Sequence, residues 1–424
     1  MKAANVAETV KSEHAVALLK QMYGEKRAEE NAARYQLVAD GFAKEFGDKA
    51  FEFFSAPGRT EIIGNHTDHN GGRVIAGSID MDTIGAAYPN NSSVIRITSE
   101  GYDKEVVVDI NDLASVPKAQ GTVSLVAGMV EAIQKFGFKV AGFDAYVTTN
   151  VIRAAGVSSS ASFEMLVCSI INYFFNDGAM TYINYAKAGQ YAENVYWLKA
   201  SGLMDQLACA VGGPILLDFS DRENPKYEKV NFSFHDYDHH LVIVNTGKGH
   251  ADLSEEYSEI PMEMKEAAKA AGAELLCETT LEKVLANMDK IDNDRAILRA
   301  IHFFKENERV ERAAKAVEEK DGETVLKLLS ESGKSSWELL QNCYPIKAYT
   351  EQKISVALAL TDLFLEKLGK GICRIHGGGF AGVIMCVVPE EETENYVSYI
   401  SEFAGKENVY PMNIRAVGAV HIEK

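Results

Sequence analysis

Apolar residues recur at three- and four-residue spacing through HAVALLKQMYG and ENAARYQLVADGFAKEFG, which predicts helices across residues 1–50. After Phe51 the texture changes to short β-rich runs bounded by Gly, Asn and Pro: KAFEFFSAPGR, RVIAGSIDMDTIGAAYP, SSVIRITSEG and KEVVVDIND. A helix (VSLVAGMVEAIQKFG), a strand (GFDAYVTTNV), a Ser-rich loop and a long helix (SASFEMLVCSIINYFF) follow. Another helix, INYAKAGQYAENVYWLKA, leads into SGLMDQLACAVGG. The pattern restarts at residue 214 with the strands PILLDFS and HLVIVNTG, then a helical block over residues 254–332. A helix, two strands around a glycine turn (GICRIHGGGFAGVIMCVVP), a further helix and a last strand complete it. The expectation is an α+β chain with a helical extension at 1–50, a first domain at 51–213 and a second at 214–424. Each domain mixes β-sheet and helices.

A chain of 424 residues exceeds one ordinary core, which agrees with that division. Composition is that of an average globular protein, but the formal net charge of -18 changes the picture. It argues against nucleic acid or anionic membrane as the main partner, since both require a basic surface. An anionic substrate must be met locally, by a helix N-terminus, a bound cation or a placed Arg. No run approaches the roughly 20 apolar residues of a membrane span, and MKAANVAETVKSEHAVALL lacks a signal-like apolar core. Six dispersed cysteines with no CxxC pair read as free thiols in a reducing compartment. A cytoplasmic protein is expected, with no obligate protein partner evident.

Several segments invite chemistry. GGGFAG fits the glycine spacing of a dinucleotide fingerprint, but a β run follows it where a helix is required, so a turn between strands is the better reading. GKSS at 333–336 lacks the upstream glycine and strand of a P-loop, and reads as a turn between helices. HDYDHH, before a strand, reads as a solvated connector. AAGVSSSASFEML joins a strand to a helix through small residues. Its backbone N–H groups and hydroxyls suit an anion, and its serines equally suit a helix cap. APGRTEIIGNHTDHNGG gathers Arg59, Asn65, His66, Asp68 and His69 in a glycine-rich turn. It has no zinc-like ligand frame, and its mixture of donors and acceptors suits a polyol better than a cation.

The ordered set APGRxxxIGxHTDxNGG, GVSSSASxE, GLMDQ and GGGFAG resembles the galactokinases, a branch of the GHMP small-molecule kinases, from about Phe51 onward. The resemblance implies a two-domain GHMP-kinase-like architecture with the active site between the domains. It implies ATP-dependent phosphorylation of the anomeric hydroxyl of galactose, giving α-D-galactose 1-phosphate, with ATP as phosphate donor and Mg²⁺ as cofactor. Arg59 and Asp205 match the catalytic pair at the phosphoryl acceptor. Gly156, Val157, Ser158, Ser159, Ser160 and Ala161 match the ATP phosphate loop, and Glu193 with a loop serine, taken as Ser159, matches the metal site. Asn65, His66, Asp68, Gly202 and Tyr257 match sugar-binding positions. Taken singly, Arg59 would be a surface ion pair, Asp205 a helix cap, Glu193 a solvated helix residue and Tyr257 a packing residue. Their joint spacing raises each above that.

Two departures stand out. Ile152 and Ala154 occupy the family's Pro and Gly ahead of the serine loop, and Asn65 occupies the family's Glu, which accepts from the hydroxyl on carbon 6. Asn65 is therefore expected to tune the choice of sugar, with galacturonate or N-acetylgalactosamine as alternatives to galactose. A non-catalytic sugar- and ATP-binding regulator is the remaining alternative, and the intact Arg59, Asp205, Glu193 and triple serine argue against it.

Overall fold

The computed structural model describes residues 2–152, 156–199, 201–247, 254–380 and 382–423. Its strands are β1 (Glu52–Ile63), β2 (Arg73–Pro89), β3 (Val94–Ser99), β4 (Val106–Asp109), β5 (Phe143–Thr149) and β6 (Pro214–Asp218), followed by β7 (Lys226–Lys229), β8 (His239–Asn245), β9 (Ile372–Ile375), β10 (Val383–Pro389), β11 (Val409–Met412) and β12 (Val420–Ile422). They form an eight-stranded sheet with the path β12-β1-β2-β5-β3-β4, and a four-stranded sheet β11-β8-β10-β9. β6 joins the first sheet through the N-terminal half of β2, and β7 joins β6. Pairing is antiparallel except for β3 with β5. Three strands beyond residue 214 thus return to the first sheet.

Alternation along β1 places neighbouring residues in different cores. Phe54 packs with Leu125, Met129 and Leu166 from the helices Thr122–Lys135 and Ser159–Asn176 on one face. Phe53 packs on the other face with Tyr35, Val38 and Phe42 of the helix Ala28–Phe46. The N-terminal helices expected from periodicity form, and this is where they dock. A buried polar knot ties them down: Asp82 accepts from Arg34 at 2.6 Å and from Arg415 at 2.8 Å.

β9 and β10 pair antiparallel on either side of the glycine turn, as the β run after it requires. On one face of this second sheet, Ile243, Met385 and Val383 pack against Leu328 and, from the first half of the chain, Ile63 and Ile75. That shared core presses the glycine turn against β1 and fixes the geometry of the cleft. The GKSS segment is not a turn. It is helical, finishing the helix Gly322–Ser335 and entering a π turn over Ser336–Leu340, with Gly333 lying against Arg374. Nor is HDYDHH only a connector, because His239 and His240 are paired residues of β8. Among the described residues no helix is long and apolar enough to cross a membrane.

Candidate active site

Three regular pairs, Arg59 with Ser78, Thr60 with Gly77 and Glu61 with Ala76, hold this part of β1 in register. Arg59 and Glu61 therefore share one face, and Thr60 points away, where its hydroxyl meets His376 Nε2 at 2.9 Å. Asp205 stands in the first turn of the helix Met204–Val211, where the helix dipole favours a carboxylate. Arg59 Nε and Nη2 donate to Asp205 Oδ1 at 2.9 and 2.8 Å. Arg59 Nη1 also donates to the Gly156 carbonyl, tying the pair to the serine loop. Burial alone would raise the Asp205 carboxyl, but Arg59, Ser158 and Lys199 outweigh it and hold it below the ordinary carboxylate value. Asp205 is an anion with one third of its side chain still exposed (34%).

The serine loop divides its labour. Ser158, in left-handed backbone (φ 60°), makes no side-chain cap on the helix it precedes; its hydroxyl donates to Asp205 Oδ2 at 2.5 Å. The capping role that serine residues commonly play is thus not what Ser158 does. The backbone carbonyl of buried Val157 accepts from the Arg59 amide at 3.1 Å, and Ala161 is buried beneath the loop. Ser160, not Ser159, meets the expected metal carboxylate, donating to Glu193 Oε1 at 3.0 Å. Successive residues of a helix project about 100° apart, so one of the two faces Glu193 and the other turns away. Ile152 lies in the approach to this loop, and Ala154 lies outside the described residues.

Glu193 occupies a π turn, Ala192–Tyr196, that carries its carboxylate into the cleft, and it is nearly fully buried. Lys199 Nζ lies 3.2 Å from both of its oxygens. The ammonium stays protonated, because Glu193 and Asp205 outweigh the burial that would lower its pKa. Behind them Glu164 accepts from Gln206 Nε2 at 3.1 Å. Burial and the adjacent Glu193 push its carboxyl well above the ordinary value.

Opposite lies a second wall. His66 Nε2 is 2.9 Å from the Gly378 carbonyl, which only accepts, so Nε2 carries the hydrogen and Nδ1 is left as an acceptor. Burial, followed by neighbouring His69, lowers the His66 pKa to about 3, and the ring is neutral. Tyr257 covers this wall: its ring centroid is 5.2 Å from that of His66 and its hydroxyl is 3.2 Å from His69 Nε2. Asp68 abuts Gly202, where an added Cβ would fall 2.6 Å from Oδ2. A Cβ at Gly378 would fall 2.6 Å from the Tyr257 ring. Gly378→Ala is therefore expected to displace Tyr257 and reduce kcat/KM for the sugar by up to about 10²-fold, the cost of a misplacement near 1 Å. Steady-state kinetics check this.

Asn65, expected among the sugar-binding residues, does not line the cavity between these walls. It is fully buried, and every polar atom of its amide is engaged. Nδ2 donates to the Gly377 carbonyl at 2.7 Å and to both Glu61 oxygens at 3.2 Å. Oδ1 accepts from Asn342 at 2.9 Å and Ser336 at 3.3 Å. Glu61 stands in front of it and lines the cavity, with Arg374 Nη2 donating to its Oε1 at 3.0 Å. Burial pushes the Glu61 carboxyl up, against the pull of Arg374 and Asn65.

These walls line a polar cleft of about 540 Å³, part of it open to solvent, bounded by Asp205, Arg59, Glu61, His66, Asp68 and Glu193. A second cavity of about 870 Å³ has apolar walls of Tyr102, Leu125, Phe163 and Trp197, with Ser159 and Ser160 at its edge. The Ser160–Glu193 bond joins the two. Glu61 and Lys199 are functional candidates that motif reading missed. For Glu61 a signal was available, since strand alternation puts it beside Arg59. For Lys199 none was, because its position follows from the π turn.

Two family signatures match: the galactokinase galactose-binding signature over residues 40–89 and the GHMP kinases N terminal domain over residues 124–213. The galactokinase of Lactococcus lactis subsp. lactis (strain IL1403) is 31% identical over 390 residues, covering 90% of this chain and 94% of that protein. The galactokinase of Clostridium tetani is 30% identical over 367 residues, covering 85% and 90%. Among solved structures, Lactococcus lactis galactokinase complexed with galactose superposes with a TM-score of 0.78 at 26% identity, over 92% of this chain and 99% of that one. Methanococcus jannaschii mevalonate kinase shares the fold alone, with a TM-score of 0.60 at 16% identity, covering 87% and 99%. With a GHMP kinase fold and relatives of this identity matched over nearly their whole length, the chain belongs to the galactokinase family.

Proposed function

We propose that this chain transfers the γ-phosphoryl group of ATP to the anomeric hydroxyl of galactose, releasing ADP and α-D-galactose 1-phosphate. The observation that carries the reading is the junction of the two cavities. A polar chamber lined by Arg59 and Asp205 lies beside an apolar-walled one edged by Ser159 and Ser160, and the Ser160–Glu193 hydrogen bond bridges them. Phosphoryl transfer asks little covalent chemistry of a protein; it needs in-line positioning and neutralised oxygen charge. Asp205 accepts the hydrogen bond of the anomeric hydroxyl and takes its proton as the new O–P bond forms. Arg59 keeps Asp205 ionised, and the N-terminus of the helix Ser159–Asn176 faces the phosphates. His66, Asp68, Gly202 and Tyr257 bound the sugar.

The residues around Glu193 fit Mg²⁺: a carboxylate and a serine hydroxyl are hard oxygen donors, and Mg²⁺ is ordinarily held by one or two carboxylates with waters and substrate phosphates. When bound, the ion neutralises phosphate charge. Glu193 and Ser160 would hold it, and Lys199 would yield its place on Glu193. Glu193→Gln is expected to weaken Mg²⁺-dependent nucleotide binding by about tenfold or more, through loss of one charged ligand. Calorimetric titration at several Mg²⁺ concentrations reads this, and an unchanged Mg²⁺ midpoint contradicts it.

Glu61, Asp68 and Asp205 line the chamber together, which favours a neutral sugar over galacturonate. The same reading divides the chain into a helical extension at 1–50, a half at 51–213 and a half at 214–424, with β6, β7 and β12 crossing back, and it is that of a cytoplasmic enzyme. Sugar-dependent ADP release on galactose, N-acetylgalactosamine and galacturonate tests it. Galactose should give the highest kcat/KM. A tenfold preference for galacturonate, about 1.4 kcal/mol in transition-state binding, or no release with any sugar, overturns it.

A further inference from the structure

We propose that Glu61 is the residue that recognises the sugar's far end, accepting a hydrogen bond from a hydroxyl on carbon 4 or carbon 6, and that Asn65 is the positioning residue behind it. The proposal rests on the galactose reading and deepens it. Arg59 and Glu61 lie two residues apart on one face of β1 in unbroken register, hence about 7 Å apart along the strand. That is roughly the span of a hexopyranose. With Arg59 holding Asp205 at the anomeric oxygen, the Glu61 carboxylate falls at the opposite end of the ring, where carbons 4 and 6 carry their hydroxyls.

The hydrogen bonding leaves room for this contact. Glu61 Oε1 accepts from Arg374 and Asn65, whereas the bond to Oε2 comes from Asn65 at 3.2 Å. An ionised carboxylate offers about four lone-pair sites, so Oε2 retains acceptor capacity toward the chamber that Glu61 lines. Asn65 has no such capacity: both its amide hydrogens and its oxygen are committed to Gly377, Glu61, Asn342 and Ser336. The carboxylate that faces the chamber is thus at position 61, with the Asn65 amide standing behind it. Arg374, which also donates to the Ile62 carbonyl, locks the pair from the far side.

The test compares kcat/KM for galactose, 4-deoxygalactose and 6-deoxygalactose in wild type and Glu61→Gln. Wild type should prefer galactose over one of the deoxy sugars by about tenfold or more, the loss of a hydrogen bond to a charged group. Glu61→Gln should lose that preference, through KM rather than kcat. A merely structural role would lower activity on all three sugars alike, and that outcome overturns the proposal. So does a wild type that treats all three equally. Because Glu61→Gln leaves Arg374 buried without its carboxylate, the pair Glu61→Gln/Arg374→Met, with no unpaired charge, is read by the same ratio if the single variant does not fold. Wild type that turns over none of these sugars removes the galactose reading, and this proposal with it. Turnover of galactose with an unchanged sugar ratio removes this proposal alone.

Discussion

Asp205→Asn is expected to lower kcat by about 10²- to 10⁴-fold, the usual contribution of one positioned acid–base group, while sugar binding stays measurable. The amide keeps the shape of the carboxylate, so Arg59 and Ser158 retain a partner for at least one of their three bonds. What disappears is the negative acceptor for the hydroxyl proton. The pH dependence has a definite sign. Arg59, Ser158 and Lys199 hold the Asp205 carboxyl below its ordinary value, and His66 titrates near pH 3, so neither group changes charge between pH 5 and 8. The kcat of wild type should be level on the acid side of neutrality and fall only as pH drops below the ordinary carboxylate range. An Asp205→Asn enzyme with near-wild-type kcat removes Asp205 from the chemistry.

Asn65→Glu carries the second large effect, and it is one of stability. Glutamate at position 65 would place a carboxylate, fully buried, against the Glu61 carboxylate and the Gly377 carbonyl. Two acceptors would face a third, with only Asn342 and Ser336 left to donate. An uncompensated buried charge costs about 3–5 kcal/mol, a large part of the stability of any domain. Denaturant unfolding should show a lower midpoint for this variant, with galactose KM weakened rather than improved. Asn65→Glu that is as stable as wild type and binds galactose more tightly would mean that position 65 reaches the sugar itself.

How much of this was legible in the sequence varies with the distance over which each feature is decided. The helices of the first fifty residues, the strand-turn-strand at 372–389 and the strand-to-helix serine loop are set by local periodicity and turn residues, and they were readable. The pairing of β12 with β1 was not, because Ile422 meets Phe53 across almost the whole chain and nothing local records it. The cluster 56–72 was recognisable as a polyol-binding segment from its residue types, yet which members face the cavity depends on backbone geometry. Beyond Glu61 the register of β1 with β2 shifts, and Gly64 (φ 113°) turns the chain. That kink folds Asn65 back against Glu61, so the two are in contact despite their four-residue spacing. The partition of Ser158 to Asp205 and Ser160 to Glu193 escaped for a similar reason: it is fixed by the left-handed backbone at Ser158 and by the π turn at Glu193, neither of which carries a composition signal.

On the proposed reading, the cleft delivers a phosphoryl group to the anomeric oxygen held by Asp205. Phosphorus NMR of the product formed from galactose and ATP tests it most directly, because the phosphorus couples to the proton on the carbon that bears it. One product is expected, with phosphorus coupled to a single anomeric proton of α configuration, formed in equal amount to ADP. Phosphorus coupled to the two protons on carbon 6, or ADP released without any sugar phosphate, would contradict it.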